Sequence, residues 1–588
     1  MMRLTLSLGF ACGVVVAFAL TRSPDPQAFA DPPADLAVIN ARVLTLDAQS
    51  RVVEGVAIRG GRIIAIGATA DVRRTIGQAT RVIDAEGRTV IPGLIDSHVH
   101  AIDVARNEAA APYQELTSVE DIQTWVRAAA RRAPAGGWIW TPRLFPTRLR
   151  ERRFPTREEL DAVTTDRPVV VDCAYAQILN SAALKAAGIE RGSPDPEGGT
   201  IARTSSGEPT GLLFNAERLL ASHRPPLIES PVEELATVLR AYNAVGITSV
   251  IERATDRAGY RTYETLARTG RLNVRAAVSF RVMSDGSLED TERFIGTLGV
   301  TPGQGDDWLR VGPLKFFADG GILGGSSFMR EPYGPSARAL YGISDPQYRG
   351  KLNLTPAQIT NIIRAGHRHG WQLAAHVTGD AGVDAVLDAV ETVDREQPIR
   401  ARRFTLIHAY FPNPETARRA ARFGVVIDTQ PAWFYKDADA LTDALGEARM
   451  RHFIGLKHWM AAGLHLAINT DHMFGLDPVR SLNPFLPFLT MQTAVTRRTA
   501  GGRVIGPEQA VSTEQALRMM TQEAAYLSFD EQQKGTLEIG KLGDLAVLSA
   551  DPLTTPPDRL RDISVIQTIV GGRIVYERPQ GNTGAGAQ

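Results

Sequence analysis

Cysteine is nearly missing from this chain: its 588 residues contain two, Cys12 and Cys173. Cys12 lies in an apolar N-terminal run, so a processed chain keeps one thiol and has no internal disulfide to staple it. Cys173 reads as a small buried hydrophobe. Net charge is missing too, with 65 Lys plus Arg against 65 Asp plus Glu. No overall field favours an anionic membrane surface, and a nucleic-acid role has no support. Beyond Leu20 no long apolar run follows, so a processed chain has no stable membrane span. What is present is ordinary. Apolar residues at 44% and charged residues at 22% describe a globular protein, and a chain this long divides into two or three domains.

The N-terminus is laid out as a secretory signal: Arg3, an uncharged apolar run from Leu4 to Leu20, then Ala28-Phe29-Ala30 before Asp31. Residues 1–30 are expected to be removed after Ala30, leaving a periplasmic or extracellular protein. An uncleaved N-terminal anchor is the alternative, because the run is near the lower limit for a span. Cys12 lacks a leucine three residues earlier, which argues against lipoprotein processing.

Two separated β-rich stretches look like halves of one domain. Leu36-Ala-Val-Ile-Asn and Val52 to Gly67, with a Gly60-Gly61 turn, are echoed by Asp544-Leu-Ala-Val-Leu and Ile566 to Tyr576, with a Gly571-Gly572 turn. Neither half has enough strands to bury a face alone, so residues 31–89 and 531–580 are expected to pair into a small β-sandwich. Residues 581–588 read as a disordered tail. Between the halves, from 90 to 530, apolar strand-like runs alternate with helical patterns. They begin near Val90, Ile247, Val274, Val311, Gln372, Phe404, Val425 and Leu464. Eight such units predict an α/β fold of the (β/α)8 TIM-barrel type, with its chemistry at the carboxyl ends of the strands. The gap between the first two runs, about 105–240, has its own strand at Pro168–Asp172 and predicts an inserted α+β subdomain.

The first barrel run ends in His98-Val99-His100. Side chains alternate along a strand, so both imidazoles share a face and can grip one metal ion. A bare His-x-His pair is weak evidence: His367-Arg-His369, after helix-like Ile362-Ile363-Arg364-Ala365, reads as surface. The first pair gains weight from what closes the other runs. Strand four runs into Lys315, strand five ends at His376, strand six at His408 and strand eight at Asp471. Singly, each has a plain structural use, as a snorkelling lysine, a hydrogen-bonded histidine or a helix-capping aspartate. Together they occupy the one end of the barrel where catalytic groups belong.

These motifs resemble the amidohydrolase superfamily, and within it amidohydrolase family 3, the branch that includes N-substituted formamide deformylases. The carriers are Pro92-Gly-Leu-Ile-Asp-Ser-His-Val-His, Pro155-Thr-Arg-Glu-Glu-Leu-Asp, Asn180-Ser-Ala-Ala-Leu, Lys315-Phe-Phe-Ala-Asp-Gly, His376-Val-Thr-Gly-Asp, Ile407-His-Ala, Asn469-Thr-Asp471 and Lys534-Gly-Thr-Leu-Glu-Ile-Gly-Lys-Leu-Gly-Asp. The resemblance implies that His98, His100 and Asp471 hold a first metal and His376 and His408 a second. Lys315, carboxylated, would bridge them. A free ammonium there has no lone pair to offer and repels a cation. Imidazole and carboxylate suit Zn2+ first, as one or two ions, with Mn2+, Fe2+ or Co2+ as alternatives. It further implies metal-hydroxide attack on a small amide, an N-formyl or N-acyl amine, or a cyclic amide, with Asp471 as proton shuttle. Alternatives are a hydrolytic deaminase or an esterase on the same barrel, or an inactive ligand-binding barrel.

Three departures bear on specificity. Cys173-Ala174-Tyr175 stands where the family commonly has Asp-Gly-His, making Tyr175 a candidate substrate contact. Strand two is expected to end at Glu252, where Asp or His is usual. Strand eight closes with Asn469-Thr-Asp471-His472-Met473 in place of Gly-Ser-Asp-Ala-Pro, making His472 a candidate beside the metal. The loop after strand seven, with Trp433-Phe434-Tyr435, and the loop after strand eight, with Phe474, are candidate apolar substrate contacts. The Arg-rich run Arg143–Arg153 reads first as a solvated face. The partner implied is a small-molecule substrate, and a homodimer is compatible with the sequence.

Overall fold

The computed structural model describes residues 32–579. The expected signal segment, its expected cleavage site and the expected tail lie outside the described residues. All eight expected runs form strands of one parallel sheet: β1 (Leu94–Val99), β2 (Ile247–Thr255), β3 (Arg275–Arg281), β4 (Leu309–Phe317), β5 (Leu373–Val377), β6 (Thr405–His408), β7 (Val426–Thr429) and β8 (Leu466–Ile468). They pair in sequence order, and helices fill the connections, giving a (β/α)8 barrel. The seam between β1 and β8 is drawn together by Asp96 on β1, which accepts hydrogen bonds from the Thr470 hydroxyl and backbone N–H just past β8. One further bridge pairs Val99 with His472. β2 runs on past Glu252 to Thr255 with register shifts, so Glu252 is interior to the strand.

The opening run is two strands. Thr89–Pro92 belongs to a six-stranded sheet outside the barrel, and Leu94 begins β1. Gly93 is the joint. A Cβ there would meet the Thr248 hydroxyl at 2.2 Å, so only glycine lets the chain pass this close to β2. The six-stranded sheet takes Arg42–Leu44, Val52–Val53 and Thr89–Pro92 from the N-terminal side and Leu545–Leu548, Val565–Val570 and Arg573–Glu577 from the C-terminal side. It faces a four-stranded sheet built wholly from Leu36–Asp84, across a core of Leu36, Val38, Val56 and Ile58 against Leu545, Val547 and Ile569. Between β1 and β2 lies a separate five-stranded sheet that includes Val169–Cys173, Ala176–Leu179 and Pro209–Phe214. Cys173 is fully buried in it. No helix among the described residues is long and apolar enough to cross a membrane.

The helix before β5, Pro356–Arg368, shows how locally the elements are specified. Pro356 starts it, and Thr355 and Gln358 form a reciprocal capping box that satisfies its first free N–H groups. Ile359, Ile363 and His367 follow at four-residue steps and so share the inward face. His367 is buried, which corrects its reading as a surface residue, while His369 is exposed.

Candidate metal centre

At the carboxyl end of the barrel the six sequence-predicted ligand residues converge. His98 Nε2 lies 3.2 Å from His100 Nε2 and 3.3 Å from Asp471 Oδ1, and His100 Nε2 is 3.4 Å from the same oxygen. A tetrahedral ion with ligand bonds of about 2.0–2.1 Å separates its ligand atoms by about 3.3 Å, so these three atoms already have the spacing of a metal's edges. Asp471 Oδ1 is buried and has no hydrogen-bond partner among the described residues, a costly state for a carboxylate oxygen unless a cation meets it. The donor set therefore fits a divalent ion. Asp471 adopts φ 50°, a left-handed conformation that aspartate tolerates better than most residues, with its carbonyl held by Asn483. The second carboxylate oxygen accepts a 2.9 Å bond from Trp433 Nε1.

Across the mouth, His408 Nε2 sits 2.8 Å from His376 Nδ1. Their outer nitrogens are tied down: His376 Nε2 donates to the Gly320 carbonyl at 3.0 Å, and His408 Nδ1 to Gln430 Oε1 at 2.6 Å. These bonds fix the tautomers that present the facing nitrogens. His408 has φ 74°, strained for a β-branchless but bulky ring, and its carbonyl is gripped by the Thr429 hydroxyl at 2.8 Å. Lys315 Nζ lies between the two halves, 3.0 Å from His98 Nε2, and is buried.

Burial dominates the electrostatics. It pushes Lys315 down to about 7 against the opposing pull of Asp471. Burial, reinforced by the Lys315 cation, holds His376 down to about 3 and His98 well below its usual value. Burial, with His376 and Lys315 beside it, does the same to His408. The imidazoles of His98, His376 and His408 are thus neutral, the state a metal requires. Beneath them, Asp428 on β7 accepts from the Ser97 hydroxyl at 2.6 Å, Asn469 Nδ2 at 2.6 Å and Arg253 Nη2 at 2.8 Å. This buried network ties β1, β2, β7 and β8 together under the site.

A cavity of about 940 Å³ opens above the metal residues, between the barrel and the inserted sheet. His100, Tyr175, Phe317, Met473 and Phe474 line it. The Tyr175 hydroxyl reaches His376 Nδ1 at 3.3 Å, and burial holds its proton well above the usual range. The other candidates lie elsewhere. His472 is fully buried below His100, its Nδ1 accepting from Tyr242 at 2.8 Å and its Nε2 donating to the Gly475 carbonyl at 2.9 Å, so neither nitrogen faces the cavity. Trp433 acts on Asp471 and does not line the cavity. Its segment is no loop: Pro431 at the first position starts a helix, Pro431–Leu445, immediately after β7. The Arg-rich run divides. Arg143 and Arg148 turn inward to pair with Asp172 and Asp437, while Arg150 and Arg152 stay exposed. Gln430 and Tyr410, which hold His408, were not singled out from sequence. Gln430 follows β7 directly, and that position was its signal.

A parallel barrel bearing such a donor set on its catalytic rim defines the class: a metal-dependent hydrolase acting on carbon–nitrogen bonds other than peptide bonds. Residues 81–576 match the model of the amidohydrolase family, and the chain belongs to that family. It is 29% identical to the N-substituted formamide deformylase of Arthrobacter pascens, over 92% of this chain and 98% of that protein. It is also 29% identical to the protein LONG AFTER FAR-RED 3 of Arabidopsis thaliana, over 92% of each. The crystal structure of an uncharacterized metal-dependent hydrolase from Pyrococcus furiosus superposes with a TM-score of 0.62 at 22% identity, covering 88% of this chain and all of that one.

Proposed function

We propose that the protein hydrolyses a small N-formyl or N-acyl amine, or a cyclic amide, with Zn2+ held by His98, His100 and Asp471 and a second ion by His376 and His408. The unpaired Asp471 Oδ1 between two imidazoles carries this reading. A divalent ion there supplies a water that ionises near neutrality and an electrophile for the substrate oxygen. The rest falls to the protein. Oδ1 of Asp471 faces the ion, so Oδ2, positioned by Trp433 Nε1, takes a proton from the attacking water and returns it to the leaving nitrogen. Tyr175, still protonated, donates to the carbonyl oxygen as negative charge gathers on it. Phe317, Met473 and Phe474, with Leu227 and Met283 each 66% exposed at the rim, receive an apolar acyl or amine group.

Lys315 bridges the two halves as a carbamate. As a free amine its nearest partner is the His98 Nε2 lone pair that a metal needs, so an unmodified lysine competes with the ion. Arg3, the Leu4–Leu20 run and Ala28-Phe29-Ala30 support action outside the cytoplasm. The resemblance to a formamide deformylase supports the N-formyl class. The test is a screen of N-formyl, N-acyl and cyclic amides with chelated protein reloaded with Zn2+ or Mn2+. Turnover restored by metal is expected, and amide turnover indifferent to chelation would overturn the reading.

A further inference from the structure

We propose that Arg281 recognises a carboxylate on the substrate, so that the preferred amides are those bearing an anionic group. This rests on the hydrolase reading and deepens it. Arg281 closes β3, and its Cα pairs with that of Lys315 across the parallel ladder. Paired residues leave a sheet on the same face, so Arg281 rises from the barrel rim beside the metal residues. One ring joins the two side chains: the guanidinium carbon lies 4.9 Å from the Phe317 centroid and Lys315 Nζ lies 5.0 Å from it. Phe317 in turn packs against His376, with centroids 5.1 Å apart.

Two other arginines that line the cavity are occupied. Arg143 donates twice to Asp172, at 3.0 and 3.1 Å, and Arg106 twice to Asp256, at 3.0 and 3.1 Å. Arg281 is different. The carboxylate paired with it, Glu217, stands off with Oε1 at 3.9 Å, beyond hydrogen-bond reach, while its Oε2 accepts from Arg224 at 3.2 Å. The side chain is 48% exposed and lines the cavity. Five N–H donors in a fixed fork, stacked on a ring and making no side-chain hydrogen bond among the described residues, match the two oxygens of a carboxylate.

The experiment compares N-formylphenylalanine with N-formyl-2-phenylethylamine, which differ only in the carboxylate, on metal-loaded wild type, Arg281→Gln, Arg281→Lys and Arg218→Gln. Arg218, exposed on the inserted subdomain's side of the cavity, controls for general loss of positive charge. Wild type is expected to prefer the acid. Arg281→Gln should raise KM for the acid about 10- to 100-fold, the worth of a charged hydrogen-bonded pair, without changing KM for the neutral amide. Arg281→Lys should recover part of the loss, and Arg218→Gln should leave the preference in place. Equal turnover of both substrates, unchanged in Arg281→Gln, overturns the inference and leaves the hydrolase reading standing. If neither substrate turns over, calorimetry separates the two claims. Acid binding lost in Arg281→Gln upholds the carboxylate site while the hydrolase reading falls, and no acid binding by wild type overturns the inference.

Discussion

The two halves of the candidate metal centre differ in what they offer a cation. On the β1 and β8 side, His98, His100 and Asp471 are spaced at 3.2–3.4 Å with a bare buried carboxylate oxygen among them. On the β5 and β6 side, His376 and His408 turn two neutral, unprotonated ring nitrogens toward each other at 2.8 Å, their N–H groups spent on Gly320 and Gln430. The first half offers a cation three donor atoms including a carboxylate, the second two neutral nitrogens. Affinity should therefore be unequal, with the triad holding its ion more tightly than the pair.

Mutation can break that comparison. The largest effect is expected from His98→Ala or Asp471→Asn, each lowering kcat/KM by at least about 1,000-fold, as loss of the ion removes both the activated water and the electrophile. Circular dichroism should show the fold intact, and near-normal turnover in Asp471→Asn would remove that residue from proton transfer. His376→Ala comes next, at about 10- to 100-fold, losing the second ion while metal analysis still finds the first. If it lost both, the halves would be one cooperative site. Trp433→Phe, which removes the N–H on Asp471, should lower kcat by about 10-fold with little change in KM, in line with the worth of a bond to a charged group.

The smallest expected effect is on stability, away from both halves. Glu252 accepts from the Ile102 N–H at 3.1 Å and Tyr263 at 2.9 Å, and burial, helped by Asp103, pushes its carboxyl up to about 8. A carboxyl raised in the folded state favours folding below its unfolded value of 4.5, and that contribution is lost as pH climbs to about 8. Glu252→Gln keeps an acceptor without the titration. Its melting temperature should gain on wild type as pH rises from about 5 to about 8, and parallel pH curves would show that Glu252 is ionised when folded.

Much of this was legible in sequence because parallel strands buried on both faces read as unbroken apolar runs, and the residues that end them stand out. His98, His100, Lys315, His376, His408 and Asp471 all announced themselves this way. Asp96 and Asp428 did not. Each sits inside an apolar run, and its meaning lies in partners far along the chain: Thr470 for the first, Arg253 and Asn469 for the second. The role of Trp433 was hidden because a helix begins right after β7 and turns its indole back toward β8. Arg281 was silent for a related reason. An arginine ending a strand is common, and that Glu217 stands off from it at 3.9 Å shows only in the folded chain.

The central claim, that the triad is a built cation site, is tested most directly by anomalous diffraction from crystals of the purified protein at the zinc edge. The account predicts a peak about 2.0–2.2 Å from His98 Nε2, His100 Nε2 and Asp471 Oδ1, present even when the peak at His376 and His408 is weak. A filled pair beside an empty triad would contradict it.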